Sequence, residues 1–446
     1  MRPQRLVAAV SLIALVAASW TTPSLGQSLP PDSVSIVIGP EYATSPGWRF
    51  LSGRGWRAIW TAPVRLPVMD PARFEGGLVR FEPDSTGLPD IVIGWTADRR
   101  AWRIRPVNRL PVEPDAPAEI QGTIVDAFLR DLVSTLHPSA PLAAAALYRA
   151  AGLEAVVPGL TVLPVRGLPQ ALEPLAGQAV WIERAAERDR LPMDGFGAVI
   201  TTDSLLALTR RDPTVRVDTR RFLASRLTDL LLGDRSRGPG AWRWGRRDEG
   251  AGATIWVPIA VRQEEAFLRP DGLDASLFTL LMPGMVSFSA NRPDVSSLTW
   301  LAYDLDRPLL VRLERPVWDS IASALSARLT DDAIRSAVAA IPPGHLAGSD
   351  SLLVAGLMAR REHLPEVVNR YFAGINRFPD VELSEASDQV RLARSPTGDL
   401  DLVVATPGGQ EIFRRQFRAR ETKEVRLHLL GAGDTVRLDH MDRHGI

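Results

Sequence analysis

Residues 222–267 read FLASRLTDLLLGDRSRGPGAWRWGRRDEGAGATIWVPIAVRQEEAF, and the order of patterns within them decides the fold class. Apolar residues from Phe222 to Leu232 recur at helical spacing. Asp218 stands ahead of them as an N-cap and Gly233 follows as a stop, so a helix is expected over Asp218–Leu232. A polar turn, Gly233 to Ala241, delivers the chain into Trp242-Arg243-Trp244. A strand pair is expected there, with Thr254–Val261 as its second member. Alternation places Trp242 and Trp244 on one side of their strand, where large aromatics pack as core more often than they stack on ligands.

Upstream, Val34–Ile38, Leu78–Phe81, Ile91–Trp95 and Trp102–Val107 are short β-branched or aromatic runs separated by Gly, Pro and Asp turns. After the proline-rich joint Pro111–Pro117, Ile120, Ile124, Phe128, Leu132 and Leu136 step by four, which predicts a helix over Glu119–His137. A second helix is expected from Ala143, strands at Leu160–Val165 and Ala179–Ile182, and a helix at Asp203–Leu208. Downstream, helices are expected at Val317–Leu329, at Asp332–Ala340 capped by Thr330, at Ser349–Arg361 and at Pro365–Asn376. The tail changes to alternating strands, Gln389–Arg394, Leu400–Ala405, Glu411–Phe417, Lys423–Leu429 and Thr435–Leu438.

The first residues order as a secretory leader: Arg2 and Arg5, an apolar run Leu6–Ala18, then Ser24-Leu25-Gly26, with Gln27 as the expected mature terminus. Export to the periplasm or cell envelope is therefore expected, with no transmembrane segment in the mature chain. Cysteine is absent, which excludes disulfides, thiolate metal sites and cysteine nucleophiles. Lys+Arg and Asp+Glu balance at 52 each, so no net field draws the chain to nucleic acid. Lys423 is the single lysine; the other basic residues are arginine, which does not shuttle protons at ordinary pH.

Familiar catalytic signatures are missing. There is no G-x-S-x-G elbow, no Walker A sequence and no H-E-x-x-H pair. Gly195-Phe196-Gly197 reads as a turn. The terminal run Asp439-His440-Met441-Asp442-Arg443-His444 has metal-ligand chemistry but lies at a chain end, where ligands are seldom held in place. What remains is the layout of residues 222–267 itself: helix, polar loop, strands, acidic loop. Phosphoryl-transfer enzymes of the kinase kind use that layout to carry a base on the first loop and a magnesium-binding carboxylate on the second.

These loops resemble those of a bacterial family that pairs a metallophosphoesterase with an outer-membrane β-barrel. In its exported, kinase-like central region the loops read approximately G-D-x-D-R-H-x-x-Q-W-R-W and P-I-P-R-D-R-D-Q-A-F. The resemblance runs from about Tyr42 to about Asp434. It includes Ile59-Trp60-Thr61-Ala62-Pro63-Val64, Gly122-Thr123-Ile124-Val125-Asp126, Arg315-Pro316-Val317-Trp318, Leu329-Thr330-Asp331 and Glu421 to Leu427. Gly233, Asp234 and Arg237 match. The family's catalytic aspartate is Ser236 here, its histidine Gly238 and its metal-holding amide Ala241. In the second loop the two aspartates become Arg262 and Glu264. On the third strand, where a kinase lobe sets a lysine, the candidates are Arg103 and Arg105.

The resemblance therefore implies an α+β chain in a protein-kinase-like arrangement, with a cleft near Asp234, Ser236, Arg237 and Glu264 and with its catalytic groups degenerate. The expected divisions are a signal peptide over 1–26, a β-rich N-terminal lobe over 27–150, a helix-rich lobe over 151–378 and a small all-β module over 379–446. The reading is a pseudoenzyme without cofactor, acting through an envelope protein or outer-membrane component. The alternative is a residual atypical kinase or nucleotide-binding enzyme using Mg-ATP, with Glu264 on the metal, Asp234 as base and Arg105 on the phosphates. A hydrolase ranks last, having no nucleophile motif. Family members continue into a barrel, so an end at Ile446 reads as a free-standing or truncated member.

Overall fold

The computed structural model describes residues 32–84, 90–109, 131–188, 193, 195–250, 253–272, 285–431, 433–440 and 445–446. The leader over 1–26, the Glu119–His137 helix as far as residue 130, and Met441–His444 of the terminal run lie outside the described residues. Leu132–Thr135, at the end of that expected helix, is a single 3-10 turn.

The chain is α+β, with a β-rich N-terminal lobe, a helix-rich lobe and a small all-β module at the C-terminal end. β1 (Ser33–Ile36) pairs antiparallel with β2 (Val64–Pro67). β3 (Leu78–Pro83), β4 (Val92–Thr96) and β5 (Ala101–Pro106) form an antiparallel meander. The chain then makes a helix, Ala140–Ala150, and the short β6 (Glu154–Ala155). β7 (Gly159–Val162) and β8 (Ala179–Arg184) return to the meander, giving the order β3-β4-β5-β8-β7. This sheet draws strands from both sides of residue 150, because β8 supplies the backbone partners that β5 needs. β5 turns Ile104 into an apolar cluster with Val92, Leu172 and Ile182, while Arg103 and Arg105 point to its other face.

β9 (Ala198–Thr201), β10 (Trp242–Gly250) and β11 (Ala253–Ala260) build a second sheet, ordered β6-β11-β10-β9. Phe196, in the expected turn, lies over Gly245 of β10, where a Cβ would come within 2.3 Å of its ring. Only glycine admits that contact.

The helix Thr219–Leu232 is central. It packs against helices Ala140–Ala150, Tyr303–Leu310, Arg315–Arg328, Asp350–Glu362 and Leu364–Asn376, and against β11. Its boundaries follow the sequence signals. Asp218 accepts from the Arg221 amide at its start, and Gly233 closes it in the left-handed region at φ 69°. Thr330 likewise caps the helix Asp331–Val338 through the Ala333 amide. Trp242 and Trp244 are fully buried against Phe222, with ring centroids 5.1 and 5.6 Å away, so both are core.

The tail folds as a small module. β12 (Asp380–Glu382) pairs with β16 (Arg426–His428), and β13 (Gln389–Arg394), β14 (Leu400–Ala405), β15 (Glu411–Phe417) and β17 (Thr435–Asp439) form a sheet ordered β15-β14-β13-β17. Val390, Leu402, Val404, Phe413 and Phe417 on the inward face form its apolar core, as a half-buried sheet requires. Among the described residues no helix is long and apolar enough to cross a membrane.

Candidate functional site

The site is assembled from three places: the strand β5, the turn after the central helix, and the loop after β11. On β5, Arg103 and Arg105 lie two residues apart and so share a face. β8 sets Glu183 directly opposite Arg103, and its carboxylate sits between the two guanidinium groups, 3.7 Å from Arg103 Nη1 and 3.5 Å from Arg105 Nη2. Glu187, just past β8, accepts from Arg103 at 2.9 Å and from Arg243 of β10 at 2.8 Å. Burial alone would raise the Glu187 carboxyl, but Arg243 and Arg103 outweigh it and hold the group at about 2. Asp84 lies 3.5 Å from Arg103 and 3.4 Å from Arg188. Arg103 is accordingly held well above its ordinary value by Glu187, Glu183 and Asp84, despite its burial.

Glu264 reaches this row from the loop after β11 and pairs with Arg105. Two residues expected at the site from sequence alone, far apart in the chain, are thus brought into contact. Glu264 is half-buried, as is Ser236, where the resembling family carries its catalytic aspartate.

The remaining two candidates, Asp234 and Arg237, lie behind the surface rather than on it; both are fully buried. Arg237 is a staple between the two loops. It donates to the carbonyl oxygens of Val261 and Arg262 at 2.7 and 3.1 Å, pairs with Asp229 at 3.0 Å and lies 4.5 Å over the Trp242 ring. Asp234 accepts from the Ser236 amide at 3.1 Å, and its other oxygen is 4.0 Å from Arg237 without a hydrogen bond. Burial pushes its carboxyl up to about 8, against the pull of Arg237 and with Asp229 and Glu265 adding to the rise. Sealing follows from the staple, since the Arg237 bonds draw the second loop down over the first. Arg235 adds a second tie, to Glu265 at 2.7 Å.

Beneath these loops runs an ionic network that sequence reasoning missed. Arg226 pairs with Asp229 at 2.7 Å and Asp306 at 2.9 Å, Tyr148 donates to Asp229 at 2.5 Å, and Tyr371 donates to Asp306. Arg226, Asp229, Arg237 and Asp306 are all fully buried. With Asp234 protonated, two guanidinium and two carboxylate charges balance, which is the condition for burying charge at all. The one local signal was Arg226 and Asp229, three residues apart on the same helix. Glu183, Glu187 and Asp84 had no such signal, because their partners come from distant strands.

Chemically, Arg105 and Glu264 are a cation and a carboxylate that neutralise each other. Arg262, on the same loop, adopts the left-handed region at φ 57°. Burial and the neighbouring Arg103 lower its guanidinium. Among the described residues no group of three or more histidine or carboxylate side chains could hold a metal ion.

No protein-family model matches the chain, and no curated protein matches it. Among solved structures it is similar to the proinflammatory kinase CtkA of Helicobacter pylori, at 10% identity and a TM-score of 0.33, over 64% of this chain and 94% of that one. It is also similar to a chain of the toxin–antitoxin complex of HipA, HipB and operator DNA from Shewanella oneidensis MR-1. That match has 11% identity and a TM-score of 0.29, over 61% of this chain and 60% of the other. At such scores the likeness carries no weight for fold or chemistry, which rest on the residues themselves.

Proposed function

We propose that the chain is an exported, kinase-like body whose catalytic groups are degenerate, and that it acts as a binding protein of the periplasm or cell envelope with an envelope or outer-membrane protein as partner. The observation that supports this most is the Arg105–Glu264 pair. The residue at the phosphate-holding position and the carboxylate at the metal-holding position are spent on one another, with Glu183 as a second acid on Arg105. Ser236 replaces the base, a change that costs about two to four orders of magnitude in rate where a base is required. Asp234 is no substitute, since its carboxyl is sealed from any acceptor.

Titration calorimetry with Mg-ATP up to roughly millimolar concentration is expected to give no saturable heat. Saturable binding that Glu264→Ala abolishes, together with phosphate transfer to an acceptor, would overturn the proposal in favour of a residual nucleotide enzyme. The same pair motivates that second reading, because a guanidinium and a carboxylate meeting between β5 and the second loop are groups a nucleotide and its metal could separate. Export is tested by fractionating cells that produce the full chain and sequencing the mature terminus, which is expected at Gln27. Retention of the intact leader in the cytosol would refute it.

A further inference from the structure

A groove of about 220 Å³ runs along the seam between the helix-rich lobe and the C-terminal β module, away from the arginine row of β5. Its walls are mainly apolar: Leu206 from the helix Thr202–Arg211, Val215 beyond it, Ile255 of β11, Leu309, and Phe413 of β15. The charged groups on those walls are unequal in number. Arg210, Arg216 and Arg312 line the groove against Glu382 alone. Arg210 is paired with Glu382 at 3.3 Å, and Arg216 with Glu249, outside the groove, at 2.6 Å. Arg312 differs from both. It donates through Nη1 to the Ile412 carbonyl oxygen at 2.8 Å and lies 5.0 Å over the Phe413 ring. Among the described residues no carboxylate lies within ion-pair distance of it. Arg312 is itself exposed, so its guanidinium stands in reach of a ligand from solvent.

An exposed arginine at the rim of a largely apolar groove, anchored through one nitrogen and stacked on an aromatic ring, has Nε and Nη2 left to present as a fork. That geometry fits the two oxygens of a carboxylate. The volume is below the about 300–1,000 Å³ of drug-sized ligand sites, so the occupant is short. We infer that this groove binds a small amphipathic carboxylate, its anionic head on Arg312 and its aliphatic tail along Leu206, Val215 and Ile255.

The probe is hexanoate, titrated into the mature chain by calorimetry, with hexanol and acetate as partners lacking one half of the chemistry. Hexanoate is expected to bind at least about tenfold more tightly than either, since a charge-assisted fork and an apolar tail are each worth that much. Arg312→Met keeps the aliphatic stem and should weaken hexanoate about tenfold or more while leaving hexanol unchanged. Arg312→Lys should retain most of the affinity. Leu206→Trp, on a half-buried position that fills the groove, should abolish binding with the arginine intact, so that a folding defect in one variant does not decide the outcome.

The inference is overturned if hexanoate gives no binding at roughly 10 mM, if hexanol binds equally well, or if Arg312→Met binds as the parent does. It is also overturned if a peptide ending in a free apolar residue binds much more tightly than hexanoate, which would make the groove a peptide-terminus site.

Discussion

Asp234 offers the sharpest quantitative test of the buried loop architecture. Its carboxyl is pushed up to about 8 by burial, whereas in the unfolded chain it titrates near the ordinary value of about 3.9. Between those values the folded protein keeps a proton that the unfolded chain releases, so rising pH favours unfolding. The loss is about 1.4 kcal/mol per pH unit, starting near pH 4 and ending near pH 8, or about 4 kcal/mol accumulated at pH 7. That is a large share of the roughly 5–15 kcal/mol that holds a domain together. Asp234→Asn keeps an oxygen to accept from the Ser236 amide but cannot ionise. Any fixed cost of its extra amide hydrogens is the same at every pH. The quantity to measure is therefore the stability difference between the two proteins as a function of pH, from urea unfolding followed by the fluorescence of the 12 tryptophans. Relative to the parent, the variant is expected to gain about 4 kcal/mol between pH 4 and pH 7. Other titrating groups act equally on both proteins and cancel. A difference that stays flat to within about 1 kcal/mol over that range would show the carboxylate to be charged in the folded state, and the charge balance argued for the network would fail.

The opposite sign is expected at the buried histidines. Burial holds His137 at about 3 and His345 at about 4, with Ser139 Oγ 2.7 Å from His345 Nδ1. The folded chain thus refuses protons the unfolded chain accepts below about pH 6.5, and stability is lost as pH falls. His345→Gln should flatten that acid limb by about 1.4 kcal/mol per unit between about pH 6.5 and 4, and an unchanged acid midpoint would contradict it. Arg237→Met removes the staple and leaves Asp229 short of a buried partner, for an expected loss of about 3–5 kcal/mol in denaturant unfolding; a loss below about 1 kcal/mol would deny the staple its role. Trp242→Ala leaves a cavity beside Phe222 and should cost about 3–5 kcal/mol, with a near-neutral result pointing to an exposed ring instead.

Much of the architecture was legible along the chain because it depends on near neighbours. The helix Thr219–Leu232 begins and ends where Asp218 and Gly233 said it would, and the Thr330 cap formed as read. Five tail strands were visible from period-two alternation, although β16 is confined to Arg426–His428. The candidate site was legible only in its residue types. Arg105 and Glu264 were recognised separately, one from its place on the third strand and the other from the family resemblance of the second loop, and nothing local said that they would meet. Glu183 and Glu187 were missed because a carboxylate on a strand or at its end looks solvated until its opposite strand is known. Asp234 and Arg237 were expected at a cleft. Both are buried, and Arg237 donates to the carbonyl oxygens of Val261 and Arg262, more than twenty residues away.

By itself the sequence determined the alternation of helix and strand, the caps, the cysteine-free and almost lysine-free chemistry, and which loops carry the charged groups. These are properties of side-chain periodicity and of residue type, both set within a few positions. The tertiary structure alone decided which charges pair and which are sealed from water, because ionisation and burial depend on groups that only folding brings within a few ångströms of each other. At Arg105 and Glu264 those two kinds of information meet, and the pairing carries the functional reading.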